Sequence, residues 1–294
     1  MSTMVLVNPA AGGGRAGRDA DALLAKLPGE LDVRRTLGPG HATALVAAAR
    51  ERGVQRFVSV GGDGTLYEVV NGALAAGSGR PTVGFLPLGT GNSFGRDVGV
   101  TSVETAMDAL SGTHTRVVDV VKLESDQAPV HSINIVGLGF SALAGDLMNR
   151  RFKSFGALGY VLAVGVELSR LHAPRVRYRL DDGEWRDEPL VMLSLCNSQY
   201  TGGAMHMAPD ARVDDGLLDV IALAPMSRRR FIGAFPKIFQ GTHTALDEVT
   251  AGRARRVELA VDGPVDVMID GEVLKLALTA VEVVPGALEV ACPR

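Results

Sequence analysis

The sequence predicts a two-part α/β protein, in which a mostly parallel β-sheet with helices on both faces precedes a β-rich, largely antiparallel domain. In the first 122 residues, short apolar runs alternate with helical segments, which is typical of a covered parallel sheet. Beyond that point, strand-like runs separated by turns dominate, as in antiparallel sheets. The length of 294 residues also suits two modest domains better than one.

We therefore predict an α/β domain at 1–122 and a β-rich domain at 123–294, with a ligand cleft between them. This prediction also allows the last residues of the chain to belong to the first domain. No internal repeat or low-complexity linker separates the two parts.

Strands and helices of the first domain alternate in order along the chain. The predicted strands are 4–7, 31–36, 57–60 and 82–86. Leu23, Leu24 and Leu27 mark one helix, and an alanine-rich segment from His41 to Arg52, closed by Gly53, marks another.

Three glycine-bearing loops follow strands of this domain, at 8–14, 61–65 and 89–92. In open α/β sheets, ligands bind at the carboxyl ends of the strands. We therefore expect the three loops to converge on one ligand site.

The stretch Gly61-Gly62-Asp63-Gly64-Thr65 joins an apolar strand to a helical pattern, and such a turn presents backbone N–H groups to an anion. Thr65 and Glu68 have the spacing of a capping box. Asp63 is unexpected in a phosphate loop, because two like charges about 4 Å apart repel by roughly 4 kcal/mol at an effective dielectric near 20. It indicates a carboxylate that binds Mg²⁺, holds a donor or takes a proton. A plain helix-capping turn is the alternative.

The second domain shows many short strands and few helices. The predicted strands are 117–123, 131–136, 176–180, 190–195, 217–223, 257–260, 265–269 and 274–284. The predicted helices are 156–171 and 228–239.

Composition and charge exclude several classes of protein. The net charge of −3 and the isoelectric point near 6.1 give no indication of nucleic-acid binding. Cys196 and Cys292 lack metal-ligand spacing and fit a reducing compartment. The short run before Asn8 leaves no room for a signal peptide, and the apolar stretch at 160–166 is too short to span a bilayer. We therefore expect a cytoplasmic protein.

Familiar phosphate-binding motifs are missing from the sequence. Gly12 to Gly17 has P-loop spacing, but Arg18-Asp19 follows where Lys-Ser/Thr is required. The His-Arg-Asp and Asp-Phe-Gly triplets of protein kinases do not occur. No dinucleotide fingerprint follows the first strand.

Asp270-Gly271-Glu272 places two carboxylates two residues apart. In a regular strand they would share a face, unless Gly271 turns the chain. Two neighbouring carboxylates make one of them harder to ionise, which suits that one for accepting a proton. An acidic tight turn is the alternative here, as it is at Asp214-Asp215-Gly216.

Five motifs occur in the order found in the diacylglycerol kinase catalytic family. They are Asn8-Pro9-x-x-Gly12, Gly61-Gly62-Asp63-Gly64-Thr65, Pro87-x-Gly89-Thr90-x-Asn92-x-Phe94, Asp215-Gly216 and Asp270-Gly271-Glu272. Over essentially its whole length the chain resembles the soluble bacterial lipid kinases of that family, which are related to sphingosine and ceramide kinases and, more remotely, to NAD kinases.

The resemblance implies phosphorylation of a lipid hydroxyl with ATP and Mg²⁺ as cofactors, and diacylglycerol is the first candidate acceptor. It implies that ATP is bound by Asn8, Pro9, Ala10, Ala11, Gly12, Thr36, Gly61, Gly62, Asp63, Gly64, Thr65, Leu66, Tyr67, Thr90 and Asn92.

The resemblance also implies roles for the acids. Glu272 matches the proton acceptor of the family, and Asp270 lies beside it. Asp63 and Asp119 would orient Mg²⁺ through water. A structural Mg²⁺ site would use the Asp215 carboxylate and the carbonyls of Arg212 and Leu217, which are the hard oxygen donors that Mg²⁺ prefers.

Three departures from the family pattern leave the acceptor lipid open. Tyr67 and Ser93 stand where Asn and Asp are common, and Ser141 replaces an acid. A kinase for another lipid alcohol (a sphingoid base, ceramide or monoacylglycerol) is one alternative. A nucleotide-responsive binding module without turnover is another, although a binder has no need of the base that the intact acids provide.

Two basic stretches precede apolar helical patterns and suit an anionic membrane surface. Arg228-Arg229-Arg230 precedes 231–239, and Arg150-Arg151 with Lys153 precedes 155–171. The alternative is that the apolar faces pack in the core and the basic side chains are solvated. As partners we expect a lipid substrate, with peripheral association at the inner face of the cell membrane, and no nucleic acid. A homodimer is left open.

Overall fold

A computed structural model describes residues 3–147, 157–168 and 171–294 of the chain. The chain divides into two compact units. Unit 1 comprises Met1–Val120 and Pro285–Arg294, and unit 2 comprises Val121–Val284. The predicted fold class is confirmed, because unit 1 holds a mostly parallel sheet with helices and unit 2 is rich in antiparallel strands.

Elements are numbered along the whole chain. Those of unit 1 are β1 (Thr3–Val7), α1 (Ala11–Leu24), β2 (Leu31–Arg35), α2 (His41–Glu51), β3 (Arg56–Gly61), α3 (Asp63–Ala75), β4 (Thr82–Pro87), a 3₁₀ turn (Phe94–Arg96), α4 (Val103–Ser111) and most of β5 (Thr115–Glu124).

The sheet of unit 1 follows the order β2-β1-β3-β4, and all neighbouring pairs are parallel. The last strand of the chain, β18 (Ala280–Ala291), enters unit 1 after Val284 and pairs in parallel with β4 through Glu289 and Val290. The central strands of this sheet, β1, β3 and β4, are mostly apolar and are buried except at their first residues, as expected for a parallel sheet covered on both faces. Their carboxyl ends carry the three predicted glycine loops.

The remaining elements begin in unit 2. They are β6 (Val130–Ser132), β7 (Ile135–Gly139), α5 (Phe140–Leu147), α6 (Ala157–Glu167), β8 (Arg175–Leu180), β9 (Arg186–Pro189), β10 (Met192–Cys196), β11 (Tyr200–Thr201), β12 (Met205–His206), β13 (Leu218–Leu223), α7 (Arg228–Ala234), two 3₁₀ helices (Phe235–Gln240 and Thr242–Ala245), β14 (Val249–Ala254), β15 (Arg256–Ala260), β16 (Val265–Ile269) and β17 (Glu272–Leu276).

Unit 2 contains a six-stranded antiparallel sheet in the order β14-β13-β10-β7-β16-β17. The first residues of β18 pair with β15, and β15 continues through β8 to β9, again antiparallel. A cluster of buried apolar residues packs beneath α5, α6 and α7; its members include Phe140, Val164, Ile221 and Phe231.

Several predicted elements differ in detail from the structure. The predicted strand 131–136 is interrupted at Ile133 and Asn134, and the predicted strand 274–284 is two strands, β17 and β18. Helix α5 and strands β9, β11, β12 and β14 were not predicted. Arg150, Arg151 and Lys153 lie outside the described residues. No helix among the described residues is long and apolar enough to cross a membrane.

The predicted capping box of Thr65 and Glu68 is wrong. Helix α3 begins at Asp63 with Gly62 as its N-cap, and no side chain caps it. The Thr65 hydroxyl accepts a hydrogen bond from Asn8 Nδ2 at 3.3 Å. The Glu68 carboxylate instead accepts from the N–H groups of Gly40 (2.8 Å) and Ala42 (3.0 Å) at the start of α2. Spacing alone could not reveal this, because the donors belong to a different helix.

Glu68 should therefore stabilise α2 from outside that helix. We expect Glu68→Ala to lower the free energy of unfolding by about 1 kcal/mol, the usual effect of losing an N-terminal cap. Urea denaturation followed by circular dichroism measures the difference. Glu51→Ala is the matched control, since Glu51 is exposed at the other end of α2 and accepts no such bonds. Equal losses in the two variants would show that the cap has no energetic role.

Candidate active site

The first loop of unit 1 is held by the side chain of Asn8, which follows β1. Asn8 Nδ2 donates to Thr65 Oγ1, and Asn8 Oδ1 accepts from the N–H of Ala10 at 3.1 Å. Gly12, Gly13 and Gly14 then adopt positive φ values of 60°, 65° and 87°. Three left-handed residues in a row are accessible to glycine at little steric cost, which explains this part of the motif.

The second and third loops touch backbone to backbone. The N–H of Gly89 donates to the carbonyl of Gly61 at 2.9 Å. A Cβ atom on Gly89 would collide with Gly62, and one on Gly12 would collide with the carbonyl of Leu88. These glycines are required because the loops approach too closely for any side chain. The predicted convergence of the three loops is thus present within unit 1.

Asp63 connects the second loop to the third. Both of its carboxylate oxygens accept from the N–H of Ser93, at 2.9 and 3.1 Å. Asn92 has a positive φ of 49° and donates to the carbonyl of Gly89 at 3.1 Å. Asp63 and Asn92 therefore hold the 89–92 loop in place. Thr90 is an exposed residue of this loop.

Two further predicted residues of unit 1 lie at strand ends or within strands. Thr36 follows β2, and its N–H donates to the carbonyl of Val7 at 2.8 Å, so it lies beside the end of β1. Asp119 is buried in β5, and its Oδ1 accepts from the N–H of Gly286 at 2.7 Å. The predicted contacts of Thr36 with ATP and of Asp119 with Mg²⁺ stay predictions.

In unit 2, Asp270 and Gly271 form the two-residue turn of the β16–β17 hairpin. Their φ values are 51° and 95°, and Ile269 pairs directly with Glu272. An Asp-Gly pair with positive φ at both positions is the preferred short connection between antiparallel strands. Gly271 therefore turns the chain, and Asp270 and Glu272 do not share the face of a regular strand.

The Asp270 carboxylate is buried and fully occupied. Its Oδ1 accepts from Ser132 Oγ (2.5 Å) and from the N–H groups of Asn134 (2.9 Å) and Ile135 (3.2 Å). Its Oδ2 accepts from the N–H of Ile133 at 2.9 Å. Burial raises the pKa of the Asp270 carboxyl, and these four hydrogen bonds oppose that rise. Such a group anchors a structure and has little capacity left to accept a proton.

Glu272 has the opposite environment. It is half-buried at the start of β17, and its carboxylate makes no hydrogen bond or ion pair with any described residue. A carboxylate on a rigid hairpin with its lone pairs available is chemically suited to take a proton from a hydroxyl group. Its catalytic role stays a prediction.

The predicted metal loop of unit 2 offers oxygen donors of the kind that Mg²⁺ prefers. Asp215 Oδ1 accepts from the N–H of Leu217 at 3.1 Å, and Asp215 Oδ2 lies 3.9 Å from an Arg253 guanidinium nitrogen. Nearby, burial raises the pKa of the Asp219 carboxyl, and its Oδ2 has no hydrogen-bond partner among the described residues. Asp219 Oδ1 accepts from Arg253 Nε at 3.2 Å, so the Arg253 guanidinium lies close to both carboxylates.

No group of three or more His, Cys, Asp or Glu side chains among the described residues is arranged to hold a metal ion. The Arg212 and Leu217 carbonyls would have to complete the donor set of Asp215. The predicted Mg²⁺ sites therefore stay predictions.

An apolar cavity of about 70 Å³ lies in unit 2. Its walls come from α5, α6, α7 and strands β10 and β13, and four methionines, Met192, Met205, Met207 and Met226, contribute to it. Its polar members are Ser141 and His243. His243 Nε2 contacts the carbonyl of Met207 at 3.0 Å, and burial lowers the pKa of this imidazole.

Sequence reasoning missed a buried polar cluster around Asp270. Asn197 Nδ2 donates to the carbonyl of Ile133 at 2.9 Å, and Ser198 Oγ donates to Asn134 Oδ1 at 3.1 Å. The available signal was a polar residue at the end of each of two strands: Ser132 is the last residue of β6, and Asn197 directly follows β10. Neither position belongs to a recognised motif.

Comparison with known proteins places this arrangement in a family. Residues 2–123 match the diacylglycerol kinase catalytic domain, and residues 134–292 match the YegS C-terminal NAD kinase beta sandwich-like domain.

Similar proteins cover nearly the whole chain. A protein of Mycobacterium tuberculosis named diacylglycerol kinase is 33% identical over 98% of this chain and 94% of its own length. A Pseudomonas aeruginosa protein named "Probable lipid kinase YegS-like" is 33% identical over 90% of this chain and 85% of its own. The crystal structure of a diacylglycerol kinase from Bacillus anthracis shares the fold, with a TM-score of 0.72 at 22% identity over 99% of this chain and 96% of that one.

The chain belongs to the diacylglycerol kinase catalytic-domain family. It is a lipid kinase, and the resemblance inferred from the five motifs is confirmed.

If the Asp270 carboxylate holds the β16–β17 turn to the segment 132–135, removing its charge should destabilise the fold. We expect Asp270→Asn to lower the free energy of unfolding by about 3 kcal/mol, because the amide nitrogen would face backbone donors that then lose their acceptor. Thermal and urea denaturation measure this loss. The control Asp266→Asn removes an exposed carboxylate from the same strand and should be nearly neutral. A stable Asp270→Asn variant would remove the anchoring role.

Proposed function

We propose that this protein transfers the γ-phosphate of ATP, with Mg²⁺, to the free hydroxyl of diacylglycerol, which yields phosphatidic acid and ADP. The observation that carries the proposal is the unpartnered Glu272 carboxylate beside the anchored Asp270 turn. It is supported by the family assignment and by the name of the Mycobacterium tuberculosis relative.

In this proposal, unit 1 binds the nucleotide. Phosphoryl transfer depends mainly on positioning and charge neutralisation. Backbone N–H groups of the glycine loops would hold the phosphate oxygens, and Asn8 and Asp63 would keep the loops in register through their hydrogen bonds. Asp63 and Asp119 would hold Mg²⁺ through water, and the ion would neutralise phosphate charge. The close glycine contacts support this assignment, because they leave backbone rather than side chains at the loop surfaces.

Unit 2 provides the base and the acceptor pocket. Glu272 would take the proton of the lipid hydroxyl. At the same time the hydroxyl oxygen would form a bond to the γ-phosphorus of ATP, and the bond between that phosphorus and the ADP oxygen would break. Asp270 would act as a positioning residue that fixes the hairpin. The apolar cavity would receive acyl chain, since its lining is almost wholly hydrocarbon and thioether.

A kinase assay with labelled ATP and a lipid panel tests the reaction and its acceptor. The panel contains diacylglycerol, monoacylglycerol, ceramide and a sphingoid base. We expect diacylglycerol to give the highest kcat/KM. A preference for another lipid alcohol would change the substrate, and no transfer to any lipid would leave the nucleotide-responsive binding module as the better interpretation.

The same assay tests the base. We expect Glu272→Gln to lower kcat by about 10²–10⁴, because the amide keeps the shape but cannot take the proton. ATP affinity, measured by calorimetry, should remain. Stability should also remain, since the Glu272 carboxylate has no hydrogen bond to a described residue that could be lost. Near-normal turnover in Glu272→Gln together with its loss in Asp63→Asn would place the base in the glycine loop.

The Mg²⁺ loop is tested without turnover. Ligands that bind only the folded state raise its stability by mass action. We therefore expect Mg²⁺ to raise the Tm of the wild-type protein more than that of Asp215→Asn, in the absence of nucleotide. Asp214→Asn is the matched control, because Asp214 faces Arg212 rather than Leu217. Equal responses in the wild type and Asp215→Asn would identify the loop as an ordinary turn.

A further inference from the structure

We propose that the helical segment 228–240 of unit 2 docks on an anionic phospholipid bilayer and leads lipid from that surface into the apolar cavity. We call its outward side the α7 surface, defined by Arg228, Arg229, Ile232, Lys237 and Phe239. The proposal rests on the proposed function, since it supplies the route by which a membrane lipid would reach the acceptor pocket.

The inner side of this segment forms a wall of the cavity. Phe231, Ala234, Phe235 and Ile238 recur at helical spacing and line the cavity. Phe231, Ala234 and Ile238 are at most 8% exposed, and Phe235 packs against the same apolar cluster. Core packing therefore explains why these four residues are apolar, but it does not explain the apolar residues on the outer side of the segment.

The outer side carries apolar residues that core packing does not explain. Ile232 is 59% exposed and Phe239 is 41% exposed. Of the seven large apolar side chains exposed among the described residues, four lie on the two helical segments that line the cavity, namely Ile232, Phe239, Leu162 and Val166. A concentration of exposed hydrophobic area at the walls of an apolar cavity indicates an interaction surface rather than chance.

An aromatic row connects the cavity wall to this surface. Phe140 lies 5.1 Å from Phe231 between ring centroids, Phe231 lies 6.0 Å from Phe235, and Phe235 lies 5.8 Å from Phe239. The row thus begins at α5 in the buried core and ends at a half-exposed ring. In the proposed route, these rings would give a hydrocarbon chain an apolar wall to follow from the surface to the cavity.

The charge of the α7 surface selects an anionic partner. Arg229 and Lys237 are exposed and make no ion pair with a described residue. Arg230 is paired with Glu248 at 2.9 Å and is therefore neutralised. Arg228 is also exposed. Exposed Asp247 acts on Arg230 together with Glu248. Basic side chains beside exposed aliphatic and aromatic residues are the composition that binds anionic lipid interfaces.

Vesicle sedimentation tests the surface directly. The probe is a vesicle of phosphatidylcholine with 30% phosphatidylglycerol (about the anionic content of a strongly charged leaflet). At low salt we expect the double variant Arg229→Gln/Lys237→Gln to bind about 30-fold more weakly than wild type, because each basic residue near the surface contributes about fivefold. The difference should shrink at high salt as screening increases.

A second variant separates the apolar contribution. Ile232→Gln/Phe239→Gln should bind at least tenfold more weakly at both low and high salt, since burial of hydrocarbon is not screened. The control Leu37→Gln/Arg52→Gln makes the same kinds of change on exposed residues of unit 1 and should bind as wild type does. Unchanged vesicle binding in both α7-surface variants, or no binding by the wild type, would overturn the proposal.

Two further readouts separate this proposal from the proposed function. With a short-chain, monomeric diacylglycerol, the Arg229→Gln/Lys237→Gln variant should turn over substrate as fast as wild type. With diacylglycerol presented in vesicles, the same variant should turn over substrate more slowly than wild type. If no lipid is phosphorylated at all, the proposed function fails while vesicle binding still decides the docking surface. If sedimentation velocity shows a dimer that the α7-surface variants dissociate, the surface is a contact between copies and the proposal is overturned.

Discussion

The buried carboxylate of Asp270 is the interaction on which the functional part of unit 2 depends. Ionised oxygen is costly to remove from water, and it is tolerated here because Ser132 and three successive backbone N–H groups surround it. In return, the bonds join the β16–β17 turn to the segment between β6 and β7. The same segment is held by Asn197 and Ser198. The turn that carries Glu272 is thereby tied to a polar network, while the Glu272 carboxylate itself bonds to no residue in the described part of the chain.

In unit 1, contacts of backbone with backbone add to the hydrogen bonds of polar side chains. Its three loops are joined by backbone contacts and by single polar side chains, with Asn8 bonded to Thr65 and Asp63 to Ser93. The loops follow the carboxyl ends of parallel strands, and the central strands β3 and β4 are buried for most of their length. Each unit thus uses a carboxylate that accepts hydrogen bonds from backbone N–H groups, Asp270 in unit 2 and Asp63 in unit 1, and unit 1 adds the close approach of its glycine loops.

The sequence was sufficient for the fold class, because buried strands, alanine-rich helices and glycine turns are local signals. The glycine loops were found for the same reason, and their convergence followed from strand direction. Glu68 and Asp270 could not be interpreted correctly from spacing. Their partners lie 26 to 28 and 135 to 138 residues away, so only tertiary structure reveals them. The strand break at Ile133 and Asn134 has the same origin, since their amides bond to Asp270 rather than to a neighbouring strand.

The contact between Gly62 and Gly89 has an evolutionary consequence. Substitution is restricted where two loops meet through backbone atoms: a Cβ on Gly89 would lie 2.2 Å from the Cα of Gly62, and a Cβ on Gly62 would lie 3.1 Å from the Cα of Gly89. Descendants of such a sequence can therefore diversify only elsewhere. The methionine-rich wall of the cavity offers that freedom, because flexible thioether side chains tolerate exchange and can be reshaped around different hydrocarbons. Under the proposed function, a nucleotide-binding unit 1 with nearly fixed loops could thus serve many acceptors, with new specificity arising from substitutions in a single pocket.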